Sequence, residues 1–250
     1  MLNFDSSEIT HVGSVREVNE DSVLSRVESG LWVVADGMGG YEAGDLASSM
    51  LVDALNDISL ENSLSSNIDS IEQTVNDVNQ KIIDHSEVEF GGRVFGSTVV
   101  VVFFQDNFGS VLWAGDSRLY RLRSNALTRL TKDHSQLQEM LDSNLLLPEE
   151  IENYPDQNVI TRAVGAEKDL MLDFHVFEIE EDDKFLLCSD GLYNSINENQ
   201  IQDILNNGGI KLNTEQLIRT ALENDASDNV SFILIQNNES ETITNVKFKS

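Results

Sequence analysis

The amino-acid sequence predicts an α+β fold in which antiparallel β-sheets are covered by α-helices. Two patterns carry this. Short β-branched and apolar runs come in hairpin-like groups, and amphipathic segments of helical period come in pairs between those groups. Regular alternation of strand and helix would instead predict a parallel sheet.

Leu31-Trp32-Val33-Val34-Ala35 is an apolar run that stops at the turn dipeptide Asp36-Gly37, and it reads as a strand. Ala43, Ala47, Met50, Leu51, Ala54 and Leu55 share one face of a helix, as do Ile68, Ile71, Val75, Val78 and Ile82. Thr98 to Phe104 is β-branched and aromatic. Ser110 to Ala114 follows after Asp106-Asn107-Phe108-Gly109, a spacing that predicts an antiparallel hairpin. Lys184 to Cys188 and Val230 to Ile235 read as further strands, each beside an acidic turn. Asn197 with Gln200, and Asn213 with Gln216, read as capping boxes, in which the first side chain accepts from an amide of the first turn and the second side chain reaches back. They start helices carrying Ile201/Leu205 and Leu217/Ala221. These apolar stripes are core. No repeat or low-complexity linker interrupts the chain, so residues 1–236 read as one domain and 237–250 as a polar, loosely ordered tail.

Of the 250 residues, 40% are hydrophobic and 24% charged, the ordinary balance of a globular protein. The sign of the charge is not ordinary. Acidic residues number 44 and basic residues 16, a net charge of −28. Such a surface repels nucleic acid and anionic lipid, which both need clustered Lys and Arg, and it attracts divalent cations and basic partners. No run approaches the length of a membrane span, and Met1 to Glu20 lacks the basic segment and apolar run of a signal peptide. Cys188 is the sole cysteine, so no intrachain disulfide can form, and a cytoplasmic protein is expected. Within Phe185-Leu186-Leu187-Cys188 it reads as a small buried hydrophobe.

The acidic residues that matter sit at strand ends and tight turns. Asn19-Glu20-Asp21 precedes a strand; Asp36-Gly37-Met38-Gly39-Gly40 and Ser189-Asp190-Gly191 follow one; Asp228-Asn229 precedes the last. Gly115-Asp116-Ser117-Arg118 joins two strands. Mg²⁺ and Mn²⁺ are hard cations that take oxygen ligands in near-octahedral geometry, and a Gly beside an Asp lets the backbone approach an ion. With one Cys, and His only at His11, His85, His134 and His175, the donor supply argues against a structural zinc site. A lone Asp-Gly is more often a turn than a ligand.

The order of motifs is more specific than any one of them. Arg16-x-x-Asn19-Glu20-Asp21, Asp36-Gly37-Met38-Gly39-Gly40, Gly96-Ser97-Thr98 and Gly115-Asp116-Ser117-Arg118 come first. Leu130-Thr131-Lys132-Asp133-His134-Ser135, Asn158 to Gly165, Ser189-Asp190-Gly191-Leu192 and Asp228-Asn229 follow. From about His11 to Ile235 the series resembles the metal-dependent protein phosphatases of the protein phosphatase 2C type. Met38 and Asp133-His134-Ser135 resemble the bacterial branch.

The resemblance implies a four-layer α-β-β-α sandwich, two antiparallel sheets flanked by helices on both faces, with two to three Mn²⁺ or Mg²⁺ ions at one edge. Carried over by motif position, Asp36 bridges two ions. The Gly37 carbonyl and Glu20 bind one of them, with Asp21 reaching it through water, and Asp190 and Asp228 hold the other. Asp116 resembles the ligand of a third, weaker ion shared with Asp190. Arg16 binds the substrate phosphate; the alternative for Arg16 is a surface ion pair with Glu17 or Glu20. The implied reaction is hydrolysis of phosphoserine and phosphothreonine in proteins, by direct attack of a water bridging two ions and without a phosphoenzyme. The implied partners are phosphorylated proteins and a cognate Ser/Thr kinase, and a monomer is expected.

Some positions depart from the family pattern. Met38 stands where some members carry a His that is a candidate general acid, so water is left to protonate the leaving group. His134 reads as a structural loop residue. In the flap region between Gln136 and Gln157, Asn144 stands where Gly is usual, and Tyr154 precedes Pro155 where His is common. Asn tolerates the left-handed conformation. A catalytically silent phosphoprotein-binding adaptor of the same fold is the competing reading, and the presence of every expected carboxylate weighs against it. The acidic surface raises the expectation of basic phosphosites.

Overall fold

Period-two burial on both faces of the central strands sets the architecture. A computed structural model describes residues 3–40, 42–89, 91–147, 150–151, 154 and 158–238. In β3 (Leu31–Met38), Leu31, Val33 and Ala35 point one way and Trp32 and Val34 the other, and all five are buried. β5 (Val99–Gln105) repeats this, with Val99, Val101 and Phe103 opposed to Val100, Val102 and Phe104. A strand buried on both faces needs a layer on each side.

The second sheet has the order β2 (Asp21–Arg26), β3, β5, β6 (Phe108–Ala114), β9 (Asp173–Glu178), with the short β4 (Gly96–Ser97) paired to β3. The first sheet runs β1 (Asn3–His11), β11 (Val230–Asn238), β10 (Lys184–Cys188), β7 (Arg118–Arg123), β8 (Ala126–Arg129). Every strand pair is antiparallel. α1 (Glu42–Asn56) and α2 (Leu64–Glu89) lay Ala47, Leu51, Ile71, Val75, Val78 and Ile82 on the outer face of the second sheet. After α3 (Gln136–Asp142), which follows β8, α4 (Asp190–Ser195), α5 (Glu198–Asn206) and α6 (Ile210–Glu223) cover the first with Leu192, Ile201, Leu205, Leu217 and Ala221. A third apolar layer, with Trp32, Phe104, Phe185 and Ile233, lies between the sheets. The four-layer sandwich is therefore present. Among the described residues, no helix is long and apolar enough to cross a membrane.

Several local expectations hold. The Asn197–Gln200 capping box is formed in both directions. Cys188 is fully buried, and desolvation pushes its thiol up to about 12. Asn144 has φ 53°, the left-handed backbone that tolerates Asn in place of Gly.

Others are corrected. Asn213 is not a cap. α6 begins a turn earlier, after Gly209, and the buried Asn213 Nδ2 donates to the carbonyls of Leu205 (3.2 Å) and Gly208 (3.3 Å). The hairpin turn is shorter than the spacing suggested. Gln105 pairs with Phe108, leaving Asp106 and Asn107 as the turn, with Asp106 at φ 52°. β11 runs through Asn238, so the sheet extends past the expected domain end. Asn237 N–H donates to the Asp183 carbonyl and its Nδ2 to that of Glu180, both at 3.0 Å. Residues 239–250 of the expected tail, with Pro148, Pro155 and Gln157 of the flap region, lie outside the described residues. β1, β8, β9 and the two-residue β4 were not anticipated. β1, β8 and β9 are edge strands, which take their hydrogen bonds from β11, β7 and β6.

Candidate active site

β2 and β3 bring the first two acidic motifs together. Their antiparallel register sets Asp21 directly opposite Asp36, and like charges in that relation repel. The Asp36 backbone is fixed from β4 and from Thr98 between β4 and β5: Thr98 N–H donates to its carbonyl at 2.8 Å, Ser97 Oγ donates to the same oxygen at 3.0 Å, and Asp36 N–H donates to Thr98 Oγ1 at 3.2 Å. Gly37 follows because the chain passes close here. A Cβ on it would stand 2.2 Å from the Gly44 carbonyl oxygen and 2.5 Å from that of Glu20.

The first sheet delivers the other carboxylates to the same end. Asp190 opens α4 where β10 ends, and Asp228 precedes β11. A cleft of about 260 Å³ is lined by Arg16, Glu20, Asp36, Gly37, Met38, Gly39, Gly40, Asp190, Asp228 and Asn229. A larger cavity of about 750 Å³ lies near the opposite end of β3, against Gly30, Phe4 and Phe104, and gathers none of these residues. Asp21 and Asp116 do not line the cleft, yet their charges reach Asp36. Asp116 is buried on the turn before β7. Tyr193 Oη donates to its carbonyl at 3.1 Å, and the Arg118 guanidinium stacks 3.5 Å over the Tyr193 ring while pairing with Asp133.

This assembly is electrostatically strained. Desolvation first, then the charges of Asp21, Asp190, Asp116 and Asp228, drive the Asp36 carboxyl well above the usual carboxylate range. Asp190 is raised to about 8 by burial and by Asp116, Asp228 and Asp21; Asp21 and Asp116 are raised to about 6, chiefly by burial. Burial also raises Glu20, against the charge of Arg16 and the Gly44 backbone. Mutually repelling carboxylates take whatever donor is nearest. Arg16 Nη2 donates to Asp228 Oδ2 at 2.7 Å, Ser189 Oγ to Asp21 Oδ2 at 2.9 Å, and Asn194 Nδ2 to Asp190 Oδ2 at 3.2 Å. Among the described residues, no three His, Cys, Asp or Glu side chains are gathered closely enough to form a metal cage as they stand. Glu20 Oε1 takes no such donor. It is buried without a hydrogen-bond partner.

Of the sequence-predicted residues, Arg16, Glu20, Asp36, Gly37, Asp190 and Asp228 share the cleft, with Asp21 and Asp116 behind it. Arg16 pairs with neither Glu17 nor Glu20 but with Asp228. His134 is buried in a loop. Its Nδ1 accepts the Gly115 N–H at 3.1 Å, and its Nε2 faces Asp173 and Arg162. Supporting residues with no sequence-level role were Asn229, Thr98 and Ser117. Asn229 Oδ1 accepts Glu20 N–H at 2.8 Å, and Thr98 Oγ1 lies 2.7 Å from Ser117 Oγ. Their places inside the Asp228-Asn229, Gly96-Ser97-Thr98 and Gly115-to-Arg118 motifs were the only signal available.

Comparison with known proteins supplies the class. A family model described as protein phosphatase 2C matches residues 11–227. The chain is 32% identical over 237 residues to the serine/threonine phosphatase stp of Listeria welshimeri, covering 92% of this chain and 94% of that one. Among solved structures, PppA, described as a key regulatory component of T6SS in Pseudomonas aeruginosa, matches with a TM-score of 0.87. It is 38% identical, with 94% of this chain and 97% of that chain covered. The catalytic domain of the serine/threonine protein phosphatase PstP, in complex with two manganese ions, matches with a TM-score of 0.86 and 29% identity, covering 96% of this chain and 100% of that chain. The fold and sequence are those of a protein phosphatase, a hydrolase. The chain belongs to the protein phosphatase 2C family.

Proposed function

We propose that this protein hydrolyses phosphoserine and phosphothreonine in protein substrates, and that the cleft at Asp36 is its active site. The observation that carries the reading is convergence: Glu20, Asp36, Asp190 and Asp228, from four separate motifs, line one cleft with Arg16. The relatives are named as phosphatases over most of their length, which does not favour the silent adaptor.

The donor set fits hard divalent cations. It is all oxygen, burial and then the neighbouring carboxylates raise Asp36 and Asp190, a strain that a cation would relieve, and Glu20 Oε1 is a buried acceptor without a donor. Asp36 with the Gly37 carbonyl and Glu20 would hold one ion, Asp21 reaching it through water, and Asp36 with Asp190 and Asp228 a second. Asp116 with Asp190 would serve a third. When bound, such ions supply Lewis-acid activation of water and offset phosphoryl charge. Mn²⁺ or Mg²⁺ is expected, and the PstP structure with two manganese ions supports a count of at least two.

The remaining work falls to the chain itself. Asp228 holds the Arg16 guanidinium at the cleft, where its planar fork can meet two phosphoryl oxygens at once. Charge on those oxygens is most of what a protein can stabilise in phosphoryl transfer. Met38, on the cleft wall, has no proton to give, so water protonates the leaving oxygen. A cognate Ser/Thr kinase, a monomeric state and a cytoplasmic location complete the proposal. Purified protein with Mn²⁺ should turn over p-nitrophenyl phosphate and phosphothreonine peptides. Failure on both would sink the reading. Calorimetric titration with Mn²⁺ addresses the silent adaptor, which need not bind metal.

A further inference from the structure

A second guanidinium lies against the Gly39–Gly40 wall of the cleft. Arg93 lies in the loop between α2 and β4, and its Nη2 donates to the Gly39 carbonyl oxygen at 2.7 Å. Gly39 and Gly40 both line the cleft, and the same Nη2 is 3.6 Å from where a Cβ would stand on Gly40. The loop is anchored. Ser86 Oγ, from α2, donates to the Arg93 carbonyl at 2.8 Å, and Gly92 N–H donates to the Ser86 carbonyl at 2.9 Å. The Arg93 residue itself is exposed, and among the described residues no carboxylate pairs with it. What sets it apart from other exposed cations of the chain is its bond to a glycine that lines the carboxylate-bearing cleft.

We propose that Arg93 is a specificity-determining residue that binds an acidic side chain close in sequence to the phosphorylated residue. The substrate class is then phosphosites flanked by Glu or Asp. This rests on the phosphatase reading above and narrows it. The hydrogen bond to Gly39 uses one N–H of a group with five, leaving donors in a fork that matches a carboxylate. It opposes the expectation of basic phosphosites drawn from net charge. The field of distant surface carboxylates is screened over about 8 Å at physiological ionic strength, whereas a direct contact is screened far less. An exposed ion pair of this kind changes affinity roughly two- to five-fold.

The test is kcat/KM on matched phosphothreonine peptides carrying Glu, Ala or Lys on either side of the phosphorylated residue, with Mn²⁺ at physiological salt. The native enzyme should favour Glu over Ala by roughly two- to five-fold, expressed in KM. Arg93→Gln, which keeps a donor for Gly39, should erase the preference, and Arg93→Glu should turn it toward Lys. Two results would overturn the proposal: no preference for Glu in the native enzyme, or an equal loss on all three peptides in Arg93→Gln, which would make Arg93 a brace for the Gly39–Gly40 turn and nothing more. No turnover of any peptide by the native enzyme would overturn the phosphatase reading itself, so the two failures are distinct.

Discussion

Asn229 accepts the backbone N–H of Glu20 with its Oδ1 at 2.8 Å, across 209 positions of sequence. Its Nδ2 donates to the carbonyls of Val12 (2.9 Å) and Val18 (3.0 Å). One buried carboxamide thus ties the segment carrying Arg16 and Glu20 to the start of β11. Asn229→Ala leaves three backbone groups without their partner and should cost about 2–4 kcal/mol. Urea denaturation of the metal-free protein measures it, and a loss below about 0.5 kcal/mol would show that the clamp is not structural.

Arg16 should separate catalysis from stability. The Arg16–Asp228 pair is half exposed, with side chains 52% and 36% accessible, and pairs in that setting contribute less than about 1 kcal/mol. Arg16→Ala should therefore leave the melting temperature nearly unchanged while kcat/KM falls on the order of 100-fold or more. Arg16→Lys should recover little, because a point charge cannot meet two oxygens at once. Full activity in Arg16→Lys would contradict the fork argument.

Asp190→Asn should exchange function for stability. The native carboxyl is raised by burial and by three neighbouring carboxylates, so its ionised form opposes folding. The variant should lose activity on the order of 1,000-fold yet melt higher than the native protein in chelator at neutral pH. Mn²⁺ at about 100 times Kd should stabilise the native protein by about 2.7 kcal/mol and the variant by far less. Calorimetry with and without Mn²⁺ reads both, and equal stabilisation of the two proteins would remove Asp190 from the ligand set.

His134 predicts an acid-side loss of stability. The Gly115 N–H donates to Nδ1, and Nε2 lies between the Asp173 carboxylate (3.3 Å) and the Arg162 guanidinium (3.0 Å). Burial, and then the charge of Arg162, lower its pKa below the ordinary 6.5. Between the folded and unfolded values the unfolded chain binds more protons, so stability rises with pH through that window. The contribution is complete above about pH 6.5 and is lost as pH falls through the folded value. His134→Gln should flatten this part of the profile. Parallel melting curves for both proteins from pH 7 to 5 would refute it.

The residues differ in how far sequence could reach them. Leu31 to Ala35, Thr98 to Phe104 and the stripe from Ile68 to Ile82 announced their elements because period and propensity are written within about ten neighbouring residues. Motif order, through its resemblance to a family, also singled out Asp36, Asp190 and Asp228 among 44 acidic residues. Asn213 shows the limit of local reading: its capping signal was sound, but the carbonyls of Leu205 and Gly208 claimed the side chain instead. β1 and β9 escaped notice because an edge strand owes its existence to the strand beside it.

Local pattern thus determined most of the elements and the excess of acid, and the resemblance carried by motif order picked out the candidate carboxylates. Tertiary structure decided which of them meet. Asp21 faces Asp36 only through the β2–β3 register, Asn229 reaches Glu20 only because β11 lies in the sheet beside β1, and Arg93 meets the Gly39 carbonyl across 54 positions of sequence. Each of these contacts joins residues far apart in sequence, and its geometry comes from the packing of whole layers, which no short stretch of sequence encodes.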